Sequence, residues 1–97
     1  MKLSYSAEAV ADLRRLREFI AEHDPHAAAR VGAELLARLE HIRDFPRMGR
    51  PVSLAPEPRS IRDVVFGNYV VRYLVHNDAV VVLRIWHHFE DRGLPTD

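Results

Sequence analysis

Apolar positions along the chain follow two different periods. In the first half they recur every three or four residues. Val10, Leu13, Leu16 and Ile20 form one set, flanked by Ala9 and Phe19; Ala28, Val31, Leu35, Leu39 and Ile42 form another. Each set falls on one face of a helix. The first helix has Ser6 at its N-cap position and Glu8 in its first turn, where a carboxylate favours the helix dipole. It is predicted to run to about His23, with Asp12, Arg15, Glu18 and Glu22 on the outer face. Asp24-Pro25 predicts the start of the second helix, an N-cap followed by a proline where the missing N–H does no harm. That helix ends near Arg43 or Asp44, before Pro46. So short a link predicts an antiparallel helical hairpin.

After residue 60 the period drops to two. "RSIRDVVF", "YVVRYLVH" and "AVVVLRIWH" are β-rich runs. They are separated by Gly67-Asn68 and Asn77-Asp78, pairs that tolerate positive φ in tight turns, so an antiparallel meander follows. "MKLSY" at the N-terminus supplies a short first strand. The fold class is therefore α+β: an N-terminal strand, a helical hairpin, then a three-stranded meander. Between helices and sheet lies "FPRMGRPVSLAPEP", a loop holding four of the six prolines. Its length implies a function or packing against the core. Burying an unpaired arginine is costly. Arg72, Arg84 and Trp86 are therefore expected on the sheet face away from the helices. Strict alternation then places Val71, Tyr73, Leu83 and Ile85 under the hairpin.

Composition narrows the function. The 97 residues make one domain, 1–97, with an ordinary apolar fraction of 47%. A domain this short buries roughly two thirds of the surface its unfolded chain exposes. Cysteine is absent, which rules out disulfides and zinc sites with thiolate ligands. No apolar run approaches the roughly 20 residues of a membrane span, and the N-terminus lacks a signal peptide's apolar core. These features predict a cytoplasmic protein with no membrane role. Net charge is zero, unlike the basic excess of a strong non-specific nucleic-acid binder. Between Arg47 and Arg84, however, six arginines face three acids. Arginine's planar head suits phosphate or carboxylate. His87 and His88 are adjacent in a strand and point to opposite faces, which makes them poor joint metal ligands. No metal and no cofactor is expected.

Several short motifs then fall in a telling order. Ser6-x-x-Ala9-x-x-Asp12-Leu13 opens the first helix. Pro46-x-x-Gly49-Arg50 follows in the loop, Tyr69-x-x-x-Tyr73 in a strand, and Leu83-Arg84-Ile85-x-His87 in the last strand. Together, from about Leu3 to Arg92, they resemble the RelE/ParE superfamily, the toxin halves of bacterial type II toxin–antitoxin pairs. The resemblance implies a small sheet under a helical hairpin and a cognate antitoxin as partner. It also implies one of two targets: the ribosome, where one branch cuts mRNA, or DNA gyrase, which the ParE-like branch poisons.

Chemistry favours the second branch. Attack of a 2′-hydroxyl on phosphate needs a base, positive charge for the phosphorane and an acid for the leaving oxygen. Where nucleases of the superfamily place basic residues, this chain has Ile61, Asp63 and Val70. Its C-terminal segment carries Glu90 and Asp91, and no tyrosine follows Tyr73. The Leu83–His87 strand matches the ParE-like pattern. No catalytic residue is then expected. Arg50, Arg72, Arg84, Trp86 and His87 are the candidates for contact with target or antitoxin, and DNA is met only indirectly, through the antitoxin. Arg72 and Arg84 have an equally ordinary structural role open to them, paired with Asp63 or Glu90, and His87 one as a packed strand-end residue. The alternatives are a ribosome-dependent endonuclease using Arg59, Arg62, Arg72, Arg84 and His88, or a relic that binds its antitoxin without toxicity.

Overall fold

A computed structural model describes residues 1–52 and 61–87. Its elements are β1 (Lys2–Tyr5), α1 (Ala7–His23), α2 (Ala28–Asp44), β2 (Arg50–Pro51), β3 (Ile61–Phe66), β4 (Tyr69–His76) and β5 (Ala79–His87). The strands form one mixed sheet in the order β1-β5-β4-β3-β2. β3, β4 and β5 are the expected meander, and β1 joins it as a parallel neighbour of β5. Gly67 and Asn77 open the two turns at φ of 59° and 53°, the left-handed region that glycine and asparagine enter at least cost. β2 is an element the sequence did not announce. It pairs two residues with β3, and Pro51 offers no N–H to a further strand, which protects that edge of the sheet.

Both helices bury apolar residues against one face of the sheet. Ala9 and Leu16 from α1, and Leu35, Leu39 and Ile42 from α2, meet Val64, Val71, Tyr73, Val80, Val82 and Ile85. Burying each larger side chain contributes about 1.5–3 kcal/mol.

Three sequence expectations need correction here. The innermost line of α1 is Ala9, Asp12, Leu16 and Ile20. Val10 is 39% exposed and Asp12, expected outside, is only 2% exposed. The second helix begins at Ala28 rather than at Pro25, because Asp24–Ala27 forms a turn in which the Asp24 Oδ1 accepts the Ala27 N–H at 3.1 Å. The third correction concerns β5. Arg72 pairs with Arg84, but Tyr73 pairs with Val82, so Leu83 is an extra residue in a β-bulge. A bulge inverts the alternation. Val80 and Val82 therefore share the core face with Ile85, and Leu83, expected in the core, is only half-buried.

The bulge lies where β1 ends. Beyond Val82, α1 takes over as the neighbour of β5. The Ser6 N–H donates to the Val82 carbonyl at 2.9 Å, and the Ser6 hydroxyl donates to the Leu83 carbonyl at 2.8 Å. The Ile85 N–H donates to Asp12 Oδ2 at 2.8 Å, and Arg15 donates to the Ile85 carbonyl at 3.1 Å. A helix laid along a strand edge thus satisfies that edge with side chains, where a further strand would use backbone.

Ser6 also accepts the Ala9 N–H at 3.0 Å as the N-cap. Ser6→Ala removes the cap and the bond to Leu83 together and is expected to cost about 1–2 kcal/mol in urea denaturation. A cost below about 0.5 kcal/mol would show that water replaces the hydroxyl at both ends.

Candidate functional site

The strand register lines up a row of charge across the face of the sheet opposite the helices. Arg50 on β2 stands opposite Asp63 on β3, Asp63 opposite Arg72 on β4, and Arg72 opposite Arg84 on β5. Directly paired residues share a sheet face. Two of the arginines are neutralised. Arg72 binds Asp63 through two hydrogen bonds, Nε to Oδ1 at 2.8 Å and Nη2 to Oδ2 at 2.9 Å. This is the bidentate geometry that makes such pairs strong. Arg84 reaches past the edge of β5 to α1, giving Nε to Asp12 Oδ2 at 2.8 Å and Nη2 to Oδ1 at 3.2 Å.

Asp12 therefore closes the row. Its two oxygens accept from Arg84, Arg15 and the Ile85 N–H. Burial opposes the carboxylate's charge, but the hydrogen bonds from Arg84, Ile85 and Arg15 outweigh it and hold the Asp12 pKa below its ordinary value. The same hydrogen bond to Asp12 raises Arg84 above its ordinary value.

Trp86 lies beside the row, opposite Val70. The Arg72 guanidinium carbon sits 5.5 Å from the centre of the indole, within cation–π range. Trp86 shares the face predicted for it but is 8% exposed, too buried to serve as an open stacking platform.

At the other end of the sheet the Tyr73 hydroxyl organises the loop. Burial is the main influence raising its pKa, so it stays protonated. It donates to the Pro46 carbonyl at 2.7 Å and accepts the Gly49 N–H at 3.0 Å. The Pro46–Arg50 motif is thus a turn clasped by the second tyrosine of the Tyr69–Tyr73 motif. Arg62 points to the same turn, its Nη1 donating to the Gly49 carbonyl at 2.7 Å.

His87 is nearly buried. Its ring packs between Phe19, centroids 5.2 Å apart, and Tyr69, 5.0 Å away edge to face. It also lines a cavity of about 390 Å³ between α2 and the β3–β4 turn. That place agrees with a packed strand-end residue.

The predicted site residues are therefore not brought to one point. Arg50, Arg72, Arg84 and Trp86 share a face, His87 and Arg62 lie on the other, and Arg59 and His88 fall outside the described residues, as does Glu90. Among the described residues no group of three His, Asp or Glu side chains is placed to hold a metal. Sequence reasoning missed Asp12 as a partner for Arg84. The available signal was its spacing, three residues after Ala9 and four before Leu16, in line with the core.

Known proteins share both the sequence and the fold. The family described as ParE toxin of type II toxin-antitoxin system, parDE, matches residues 3–92. Toxin RelE1 of Caulobacter vibrioides is 42% identical over 89 residues, covering 90% of this chain and 92% of that protein. In the chromosomal ParDE system from P. aeruginosa, a chain superposes with a TM-score of 0.74 at 18% identity, over 90% of this chain and 95% of that one. The RelBE2 toxin–antitoxin complex from Mycobacterium tuberculosis follows at 0.60 and 22%, over 89% and 88%. With the Ser6–Asp12 edge cover and the Tyr73–Gly49 clasp explaining the motifs it carries, the chain belongs to the ParE toxin family of the RelE/ParE superfamily.

Proposed function

We propose that this toxin is silenced by a cognate antitoxin and acts by binding DNA gyrase and stabilising broken DNA, not by cutting RNA. The pairing of its sheet arginines carries the reading. A nuclease must present positive charge to a phosphorane as it forms. Here Arg72 is held by Asp63 and Arg84 by Asp12. A phosphate entering this face would have to displace two carboxylates. A poison that acts by contact alone has no such requirement.

The antitoxin is the partner implied by family membership. Toxin and antitoxin are encoded together, act in the cytoplasm, and reach DNA through the antitoxin. Among the described residues, no helix is long and apolar enough to cross a membrane.

The name of the RelE1 relative favours a second reading, a ribosome-dependent mRNA endonuclease using Arg59, Arg62, Arg72, Arg84 and His88. Purified toxin, freed of antitoxin, separates the two. It is added to gyrase supercoiling reactions and, in parallel, to a translating extract. Lost supercoiling with trapped DNA cleavage and intact mRNA is the expected result. Codon-phased mRNA cuts with normal gyrase would sink the gyrase reading. Silence in both assays would mark a fold that binds its antitoxin without toxicity.

A further inference from the structure

The charge row is neutralised at its β4–β5 end, and among the described residues no acid pairs with its β2 end. Arg50 stands opposite Asp63, but both Asp63 oxygens accept from Arg72. Arg50 is exposed and forms no ion pair among the described residues. Arg47, three residues before it in the clasped turn, is likewise exposed and forms no ion pair among the described residues. Arg62 completes the group. Its Nη1 lies 2.7 Å from the Gly49 carbonyl and 3.5 Å from the Arg47 carbonyl. These acceptors are neutral, so they fix the guanidinium against the turn without cancelling its charge. The acid nearest Arg47 in sequence, Asp44, already has Arg43 at 3.4 Å.

Three guanidinium groups without an ion pair among the described residues thus cluster around one turn. Arg50 belongs to one sheet face by register, and Arg62 belongs to the other with Val64 and Tyr73. The charge therefore lies on both faces of the sheet at its β2 end. A single small anion needs a concavity, and the cavity of about 390 Å³ lies elsewhere, between α2 and the β3–β4 turn. Positive charge repeated along a sheet end suits a polymer with repeated negative charge, and the forked arginine head suits phosphate oxygens.

We propose that the β2 end of the sheet, through Arg47, Arg50 and Arg62, holds the phosphodiester backbone of duplex DNA. The inference deepens the gyrase reading by giving the toxin a direct contact with the DNA that gyrase holds. It departs from the expectation that DNA is met only through the antitoxin. The contact is weak by construction, since three phosphates supply only part of the electrostatic attraction of a typical DNA-binding protein.

The test uses the full chain without antitoxin and a fluorescent duplex of about 20 base pairs, with a single-stranded RNA of equal length alongside. Anisotropy is followed from about 50 to 200 mM salt. Three phosphate contacts give a log–log slope near −2.7 for duplex, or about a 40-fold loss of affinity across that range. Arg47→Gln with Arg50→Gln should make the slope shallower by about two. Arg30→Gln, which removes an exposed α2 arginine paired with Glu34, should leave it unchanged.

Stronger binding of the RNA, with a slope near −2 that the same pair of changes makes shallower by about 1.4, would keep the phosphodiester site and overturn its assignment to DNA. Absence of salt-dependent binding, or identical slopes for the double variant and the parent, would overturn the site itself. So would a double variant that loses antitoxin affinity and keeps its nucleic-acid slope, because the charge would then belong to an acidic protein partner. Gyrase inhibition measured on the same preparations stands apart from each of these results. If it persists while DNA binding fails, the phosphodiester site is wrong and the gyrase reading survives.

Discussion

Asp12→Ala is expected to lower the stability of the toxin by about 3 kcal/mol, the largest effect of any single change proposed here. The reason is what the carboxylate leaves behind. Arg84 loses both of its hydrogen bonds to Asp12, and the buried Ile85 N–H loses its acceptor. For a domain of this size that loss corresponds to roughly 12–24 °C in melting temperature. Arg84→Ala should cost less, because Arg84 is partly solvated and Ile85 keeps its partner. The double variant should fall well short of the sum, since the two side chains form one interaction.

Acid dependence gives an independent reading of the same residue. The Asp12 pKa is lower in the folded chain than its ordinary value. A group whose folded pKa is depressed binds fewer protons in the native state, so its stabilisation is fully present above the ordinary carboxylate range, about 3.9. It is lost as pH falls through the lowered native value. Asp12→Asn keeps an acceptor for Ile85 but cannot titrate. The stability difference between parent and Asp12→Asn is therefore expected to be constant above about pH 5 and to shrink below about pH 4. Urea denaturation at a series of pH values measures it. A difference that stays flat through the acid range would show that the carboxylate's charge contributes nothing at this site.

Gly49→Ala is the second large effect, expected near 2 kcal/mol from overpacking. A Cβ at this position would stand 2.8 Å from the Asp63 carbonyl oxygen and 2.8 Å from the Tyr73 hydroxyl, with the Tyr73 Cε1 at 3.0 Å. The Asp63 oxygen belongs to the backbone of β3 and cannot rotate away, so the turn itself must shift. That shift would loosen the hydrogen bonds from the hydroxyl to Pro46 and from Gly49 to the hydroxyl. Tyr73→Phe removes those bonds without adding bulk and should also cost about 2 kcal/mol, because two backbone groups lose a buried partner. It also removes one of the atoms in the clash. Combining the two changes should thus cost clearly less than their sum. Additive costs in thermal or urea melts would mean that the glycine and the tyrosine act independently.

Much of this protein was legible in its order of residues. The two helices, the three-stranded meander and the two tight turns follow from periodicity and from Gly67 and Asn77, because these are local properties of the chain. The Arg72–Asp63 pair was within reach too, since a hairpin turn sets the register of its two strands. The motif residues Ser6, Asp12, Gly49 and Tyr73 stood out by family likeness before anything said what they do.

Other features arise only from the assembled fold. Period-two alternation assigns Leu83 to the core, and a single extra residue in β5 moves Val82 there instead, a change that no strand shows by itself. Asp12 reads as a solvated helix residue until α1 is laid along the edge of β5, where the Ile85 N–H and two arginines need a carboxylate. Gly49 needs to be glycine only because Asp63 and Tyr73, distant in sequence, close over it. The same holds for function. Composition counts the arginines of residues 47 to 84 alike, whereas the folded chain neutralises Arg72 and Arg84, and among the described residues Arg47, Arg50 and Arg62 meet no acid. Charge is a property of sequence, but its neutralisation depends on which acids the tertiary structure brings within hydrogen-bond distance.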